Sequence, residues 1–98
     1  MSMREISYAH AGMEALAEEL RRDPKTIHLA TDAPPSLVQE FGEARIRATP
    51  ITENAFSGIA IGAAGSGMRP IVNWHMVTFW FVAMDQIVNQ ASKIHYMF

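Results

Sequence analysis

From residue 7 to residue 22, Ala9, Met13, Leu16, Ala17 and Leu20 recur at helical spacing, while Glu14, Glu18, Glu19 and Arg21 fall towards water. This pattern predicts an amphipathic helix with Ser7 as N-cap, since a serine hydroxyl can accept from a free first-turn amide. Asp23-Pro24 ends it, because the residue before a proline avoids the α region. "TIHLAT" (26–31) is short and carries β-branched residues, which predicts a strand. "DAPPS" predicts a loop, "SLVQEFG" a short helix closed by Gly42, and the alternating "ARIRAT" (44–49) a second strand. The stretch from Glu53 to Ser66 predicts a helix despite its glycines. Pro70 opens a third strand, "PIVNWH", since proline is tolerated at a strand's first residue. A last helix is predicted from Phe79 to Tyr96, with Met84, Ile87, Val88, Ala91 and Ile94 as its buried stripe and Gln86, Gln90 and Lys93 outward. Strands alternating with helices predict parallel β-α-β units, hence an α/β fold with an open parallel sheet flanked by helices.

Three short strands are few for a sheet covered on both faces. The sequence stops at "KIHYMF", directly after a helix and where another strand is expected, so it reads as a truncated portion of a domain. Composition sharpens the picture. Of 98 residues, 49% are hydrophobic and only 18% charged, an apolar supply larger than so small a volume buries alone. Part of it is expected to meet another chain. A net charge of −2 supplies no basic footprint for nucleic acid. The lack of cysteine excludes disulfides, thiolate chemistry and cysteine-ligated zinc, and accords with a cytoplasmic home. The longest apolar run, "IVNWHMVTFWFVAM", is interrupted by Asn73 and His75 and falls short of the roughly 20 residues a membrane span needs.

Few residues then remain as candidates for chemistry. Gly62, Gly65 and Gly67 stand in the order G-x-x-G-x-G at a helix end, whereas a phosphate loop joins a strand to a helix start. The small residues Asn54, Gly58, Gly62 and Ser66, at i, i+4 spacing, instead predict a face that another backbone can approach closely. His10, His28, His75 and His95 show no metal-ligand spacing. No Gly-x-Ser-x-Gly elbow is present, so a hydrolase triad has no support. His75 falls at the end of the third strand, where open α/β sheets place ligands. Glu53 has two compatible readings. Thr52 would cap the helix, and an acid in its first turn suits the positive end of the dipole. Alternatively, Ile51, Ala55, Phe56 and Ile59 would desolvate the carboxylate, which could then share a proton with a ligand nitrogen.

The segments "TPITENAFSGIAIGAAGSGMRPIV" and "AMDQIVNQASKIHYMF", with a first helix of matching kind, resemble the N-terminal, pyrimidine-binding domain of the β subunit of thiamine-diphosphate-dependent 2-oxo acid dehydrogenases. Pyruvate, branched-chain and acetoin dehydrogenases carry such subunits. The resemblance covers nearly all of residues 1–98, as the N-terminal part of a transketolase-like pyrimidine-binding domain. It implies that Glu53 bonds the pyrimidine N1′ of thiamine diphosphate and favours the tautomer that removes the thiazolium C2 proton. It implies further that Phe79 stacks on the pyrimidine, that Ile51 lines the ring and that His75 lies on the pocket side. The implied reaction is oxidative decarboxylation of a 2-oxo acid with acyl transfer to lipoyl. The implied partners are an α subunit that holds the diphosphate and Mg2+, a second β subunit in an α2β2 heterotetramer, and a lipoyl-bearing acyltransferase. The implied location is cytoplasmic, of bacterial type, with an organelle matrix left open. One departure stands out: relatives carry Glu-Asp-Val-Gly after the first strand, and here Thr31 holds the first acid's place in a shortened loop. Two alternatives stay open at this point, a truncated non-catalytic remnant that binds a subunit and a transketolase-like sugar enzyme. The 98 residues alone are expected to be inactive.

Overall fold

The computed structural model describes residues 3–97. Helix α1 spans Tyr8–Arg22. Ser7 caps it as expected, its Oγ accepting from the His10 N–H at 3.1 Å, and Asp23 leaves the helix in an extended conformation. Strand β1, Thr26–Ala30, is followed by helix α2, Pro35–Phe41, which Gly42 closes with φ 85°. Then come β2 (Ile46–Ala48), α3 (Glu53–Gly65) and β3 (Arg69–Val72). Gly67, with φ 99°, makes the turn between α3 and β3, a backbone conformation that residues with a Cβ rarely adopt.

The three strands form one parallel sheet in the order β2-β1-β3. His28 stands opposite Ile46 on one side and Ile71 on the other. Every residue of the central β1 is buried, which suits a strand covered on both faces. On one face Ile27 and Leu29 pack with Ala60 of α3, joined by Ala63 and Val72. On the other, Leu20, Leu37 and Ile46 form a second cluster with Met13, Leu16 and Ala17 of α1 beside it. Arg45 ties the layers together. Its guanidinium donates to the carbonyls of Leu20 (2.5 Å), Asp23 (2.9 Å) and Thr26 (3.2 Å) and lies 5.3 Å from the Phe41 ring centre. The carbonyls at the end of α1, which lack helical partners, are satisfied in this way.

Several boundaries differ from expectation. The second strand is confined to 46–48 and the third stops at Val72, so Asn73, Trp74 and His75 lie beyond it. Ala9 is exposed and only Leu20 of the α1 stripe is fully buried. The continuous last helix is not formed. A short α4, Val77–Trp80, passes through a 3-10 turn, Phe81–Ala83, into a π-helical stretch, Asp85–Ala91, and a final turn α5, Ile94–Met97. Of the expected stripe, Met84 and Ile87 are half-buried, whereas Val88, Ala91 and Ile94 are exposed. The main neighbour of residues 81–91 is α3. Gln86, expected to face water, instead packs on Gly58: a Cβ at that glycine would stand 3.0 Å from the Gln86 Oε1. Close approach along the small-residue row is therefore realised at Gly58, while nothing lies within 4 Å of a Cβ at Gly62.

Candidate functional site at the carboxyl edge of the sheet

Strand β1 sends the chain to β2 on one side, and β3 then lies on the other. The carboxyl ends of β1 and β3 therefore flank the point where strand order reverses, the crevice in which open α/β sheets bind ligands. Backbone bonds hold the three exits side by side. Thr49 N–H donates to the Ala30 carbonyl at 2.8 Å, its hydroxyl donates to the same oxygen at 3.2 Å, and Asn73 N–H donates to the Leu29 carbonyl at 3.0 Å. Asp32, the Ile51–Glu53 turn and His75 all follow these exits.

Glu53 is the first residue of α3 and only 7% exposed. Its carboxylate makes no hydrogen bond or ion pair among the described residues. Thr52 occupies the N-cap position without capping: its hydroxyl donates to the Pro50 carbonyl at 3.1 Å. Of the four residues expected to desolvate the acid, Phe56 is fully buried while Ala55, Ile51 and Ile59 are exposed. The burial of Glu53 thus owes more to the fold than to its sequence neighbours. Ile51 is 80% exposed in the turn before α3, and Phe79 is 40% exposed in α4. A cavity of about 580 Å3 runs along the β2 side, walled by Ile27, Leu29, Thr49, Pro50 and Ile59 among others; neither Glu53 nor Phe79 is in its wall.

His75 is the one non-glycine residue with positive φ (66°) among the described residues. Its N–H donates to the Asn73 Oδ1 at 2.8 Å, and its Nε2 lies 2.9 Å from Asp32 Oδ1. His75 forms part of two cavity walls, one shared with Trp74, Met76 and Trp80, the other with His28 and Asn73. His28 is 2% exposed, and burial holds its imidazole below the usual histidine range. Asp32 opposes that shift and His75 adds to it. Sequence reading missed both Asp32 and His28. The signal for Asp32 was its place just past the central strand at the reversal point; His28, inside that strand, carried none. Among the described residues no group of three or more histidine, aspartate or glutamate side chains could hold a metal ion.

Glu53 at this edge carries a carboxylate with no protein partner among the described residues, an acceptor of the kind a cofactor ring nitrogen needs, and Phe79 in α4 is an exposed aromatic. A family model described as "Transketolase, pyrimidine binding domain" matches residues 4–98. The pyruvate dehydrogenase E1 component subunit beta of Rickettsia bellii (strain RML369-C) is 39% identical over 102 residues, covering 95% of this chain and 31% of the relative. The 2-oxoisovalerate dehydrogenase subunit beta of Bacillus subtilis (strain 168) is 38% identical over 103 residues, 96% of this chain and 32% of the relative. The mitochondrial pyruvate dehydrogenase E1 component subunit beta of Saccharomyces cerevisiae (strain ATCC 204508 / S288c) is 37% identical over 105 residues, 98% of this chain and 29% of the relative. The chain thus spans just under a third of the length of the curated relatives it matches.

Proposed function

Because the chain belongs to the transketolase pyrimidine-binding domain family, we propose that it is the cofactor-ring-binding portion of a 2-oxo acid dehydrogenase β subunit. The observation that carries this reading is Glu53, a residue 7% exposed at the start of α3 by the carboxyl edge of a parallel sheet, whose carboxylate has no partner among the described residues. Its carboxylate oxygens are not among the sealed, unpaired side-chain atoms, so they stay open to a ligand's hydrogen-bond donor. When bound, thiamine diphosphate supplies the nucleophilic carbon and the electron sink for decarboxylation. Glu53, in the first turn of α3, would hold the pyrimidine ring nitrogen and share a proton with it. Phe79 would stack on the ring, Ile51 would line it, and His75 would lie on the pocket side. The diphosphate and Mg2+ fall to an α subunit, and a second β subunit and a lipoyl-bearing acyltransferase complete the assembly. Met76, Val77, Phe79, Phe81 and Val82 all stand exposed and supply apolar surface for those subunits. No helix among the described residues is long and apolar enough to cross a membrane, and the proposed setting is bacterial cytoplasm or an organelle matrix.

The test is Glu53→Gln in the β subunit reconstituted with its α subunit. Turnover of a 2-oxo acid is expected to fall at least about 100-fold, the scale of a lost catalytic proton transfer, with assembly by sedimentation unchanged. Unchanged turnover would overturn the assignment. The second reading, a non-catalytic subunit-binding module, draws on the same exposed apolar stretch and predicts assembly with no dependence on Glu53. A transketolase-like activity would show as turnover of sugar phosphates in place of 2-oxo acids.

A further inference from the structure

The chain leaves β3 through a turn that backbone sterics disfavour. His75 has φ 66°, and the Met76 N–H donates to the Trp74 carbonyl at 2.7 Å, so three residues close a turn centred on His75. A three-residue turn with positive φ at its centre is the rare, strained form. Such a backbone persists only where the surrounding structure holds it. Two side-chain contacts meet His75. The Asn73 Oδ1 accepts its N–H at 2.8 Å, and the Asp32 Oδ1 lies 2.9 Å from its Nε2. The first contact stays next to the turn, whereas the second crosses to the exit of β1. Asp32 has a firm base there. It precedes Ala33, which packs against the Leu20, Leu37 and Ile46 cluster, and then Pro34 and Pro35, whose rings fix the backbone into α2. Beyond the turn, Met76 holds the N-cap position of α4, and its carbonyl accepts the Phe79 N–H at 3.0 Å. The backbone angle at His75 therefore sets the direction in which α4 leaves, and Phe79 follows it.

We propose that Asp32 is a positioning residue for the cofactor-ring site: by holding the His75 ring it keeps the strained turn closed and Phe79 in place to stack. This rests on the thiamine diphosphate reading, but it gives Asp32 no contact with the cofactor. Among the described residues no lysine or arginine pairs with Asp32, so its carboxylate is not committed elsewhere. The pair is partly open to water, 38% for the His75 side chain and 58% for that of Asp32. Solvent screens a contact of this kind, so its effect is modest. That effect falls on how tightly the ring is held, not on the chemistry that follows.

The test uses the β subunit reconstituted with its α subunit, carrying Asp32→Ala, Asp32→Asn or His75→Gly. Hydrogen–deuterium exchange of the 76–80 amides is read first, without cofactor. In Asp32→Ala it is expected to quicken about fivefold, the scale of one exposed hydrogen bond to a carboxylate. The half-saturating concentration of thiamine diphosphate is expected to rise by the same factor, with turnover at saturation kept. A general loss of fold would instead lower turnover at saturation. Asp32→Asn keeps an oxygen that accepts the Nε2 proton and is expected to restore both readouts. His75→Gly adopts the left-handed backbone freely but lacks the ring. It is expected to match Asp32→Ala, and the double variant to be no worse than either single one. Unchanged exchange in Asp32→Ala, or quickened exchange with unchanged half-saturation, would overturn the proposal. So would effects of the two residues that multiply in the double variant. A complex whose turnover ignores Glu53→Gln loses the cofactor reading, while the exchange data still decide whether Asp32 holds the turn.

Discussion

Trp74 donates its indole N–H to the hydroxyl of Ser57 at 2.8 Å. Ser57 is 3% exposed in the middle of α3, and Trp74 is half-buried just past β3. This single bond fastens the start of the 74–80 segment, and with it Phe79, to the helix that carries Glu53. Trp74 also lies 6.4 Å from Trp80, ring centre to ring centre, so the tie extends into α4.

Ser57→Ala leaves that indole N–H without its partner. The expected cost is about 1 kcal/mol, the net worth of one neutral hydrogen bond, read as a lower urea midpoint. Tryptophan emission should move to the red as Trp74 turns towards water. An unchanged midpoint together with unchanged emission would show that packing alone holds the segment.

His28 couples folding to pH. Burial lowers its folded pKa, whereas in the unfolded chain it returns to the ordinary value near 6.5. Below that value the unfolded state binds a proton that the folded state refuses, so stability rises with pH through this window. The contribution is fully present above about pH 6.5 and declines as pH falls from there towards the lowered folded value. Urea midpoints between pH 5 and 8 should show this slope, and His28→Leu should flatten it. An equal slope in the variant would assign the dependence to other groups.

Gly58 offers a test of contact against helix propensity. A Cβ there meets the end of the Gln86 side chain at 3.0 Å, and that end is free to swing aside. Replacing a mid-helix glycine with alanine favours the helix by up to about 1 kcal/mol. Gly58→Ala is therefore expected to leave thermal stability unchanged or slightly raised. Gly58→Leu should lower it by about 1–3 kcal/mol, since the larger side chain has to displace the π-helical stretch itself. A large loss in the alanine variant would show that Gln86 is held rigidly.

Local signals placed α1 and α3 well. Ser7, Asp23-Pro24 and Gly42 act through bonds and backbone angles within a few residues, so their effect is readable from the chain alone. The last helix failed for a different reason. Its apolar spacing is genuine, but a stripe is buried only where a neighbouring surface exists: Ala83 is buried and Met84 and Ile87 half-buried, while Val88, Ala91 and Ile94 stay exposed. The same limit explains Gln86, whose outward placement followed from polarity and whose inward packing followed from the missing side chain at Gly58. Thr52 illustrates competition at short range: its hydroxyl found the Pro50 carbonyl before the helix amides.

The order of strands and helices, the parallel character of the sheet and the position of Glu53 at the head of a helix are all properties of local pattern. They could be read because periodicity, proline and glycine constrain the backbone residue by residue. The burial of Glu53 and the meeting of His28, Asp32 and His75 are not local properties. They arise because β1 pairs with β3 in a register that sets His28 opposite Ile71, which brings the two strand exits together. Pairing between distant segments is decided by how whole faces pack, and no short stretch of the chain encodes it.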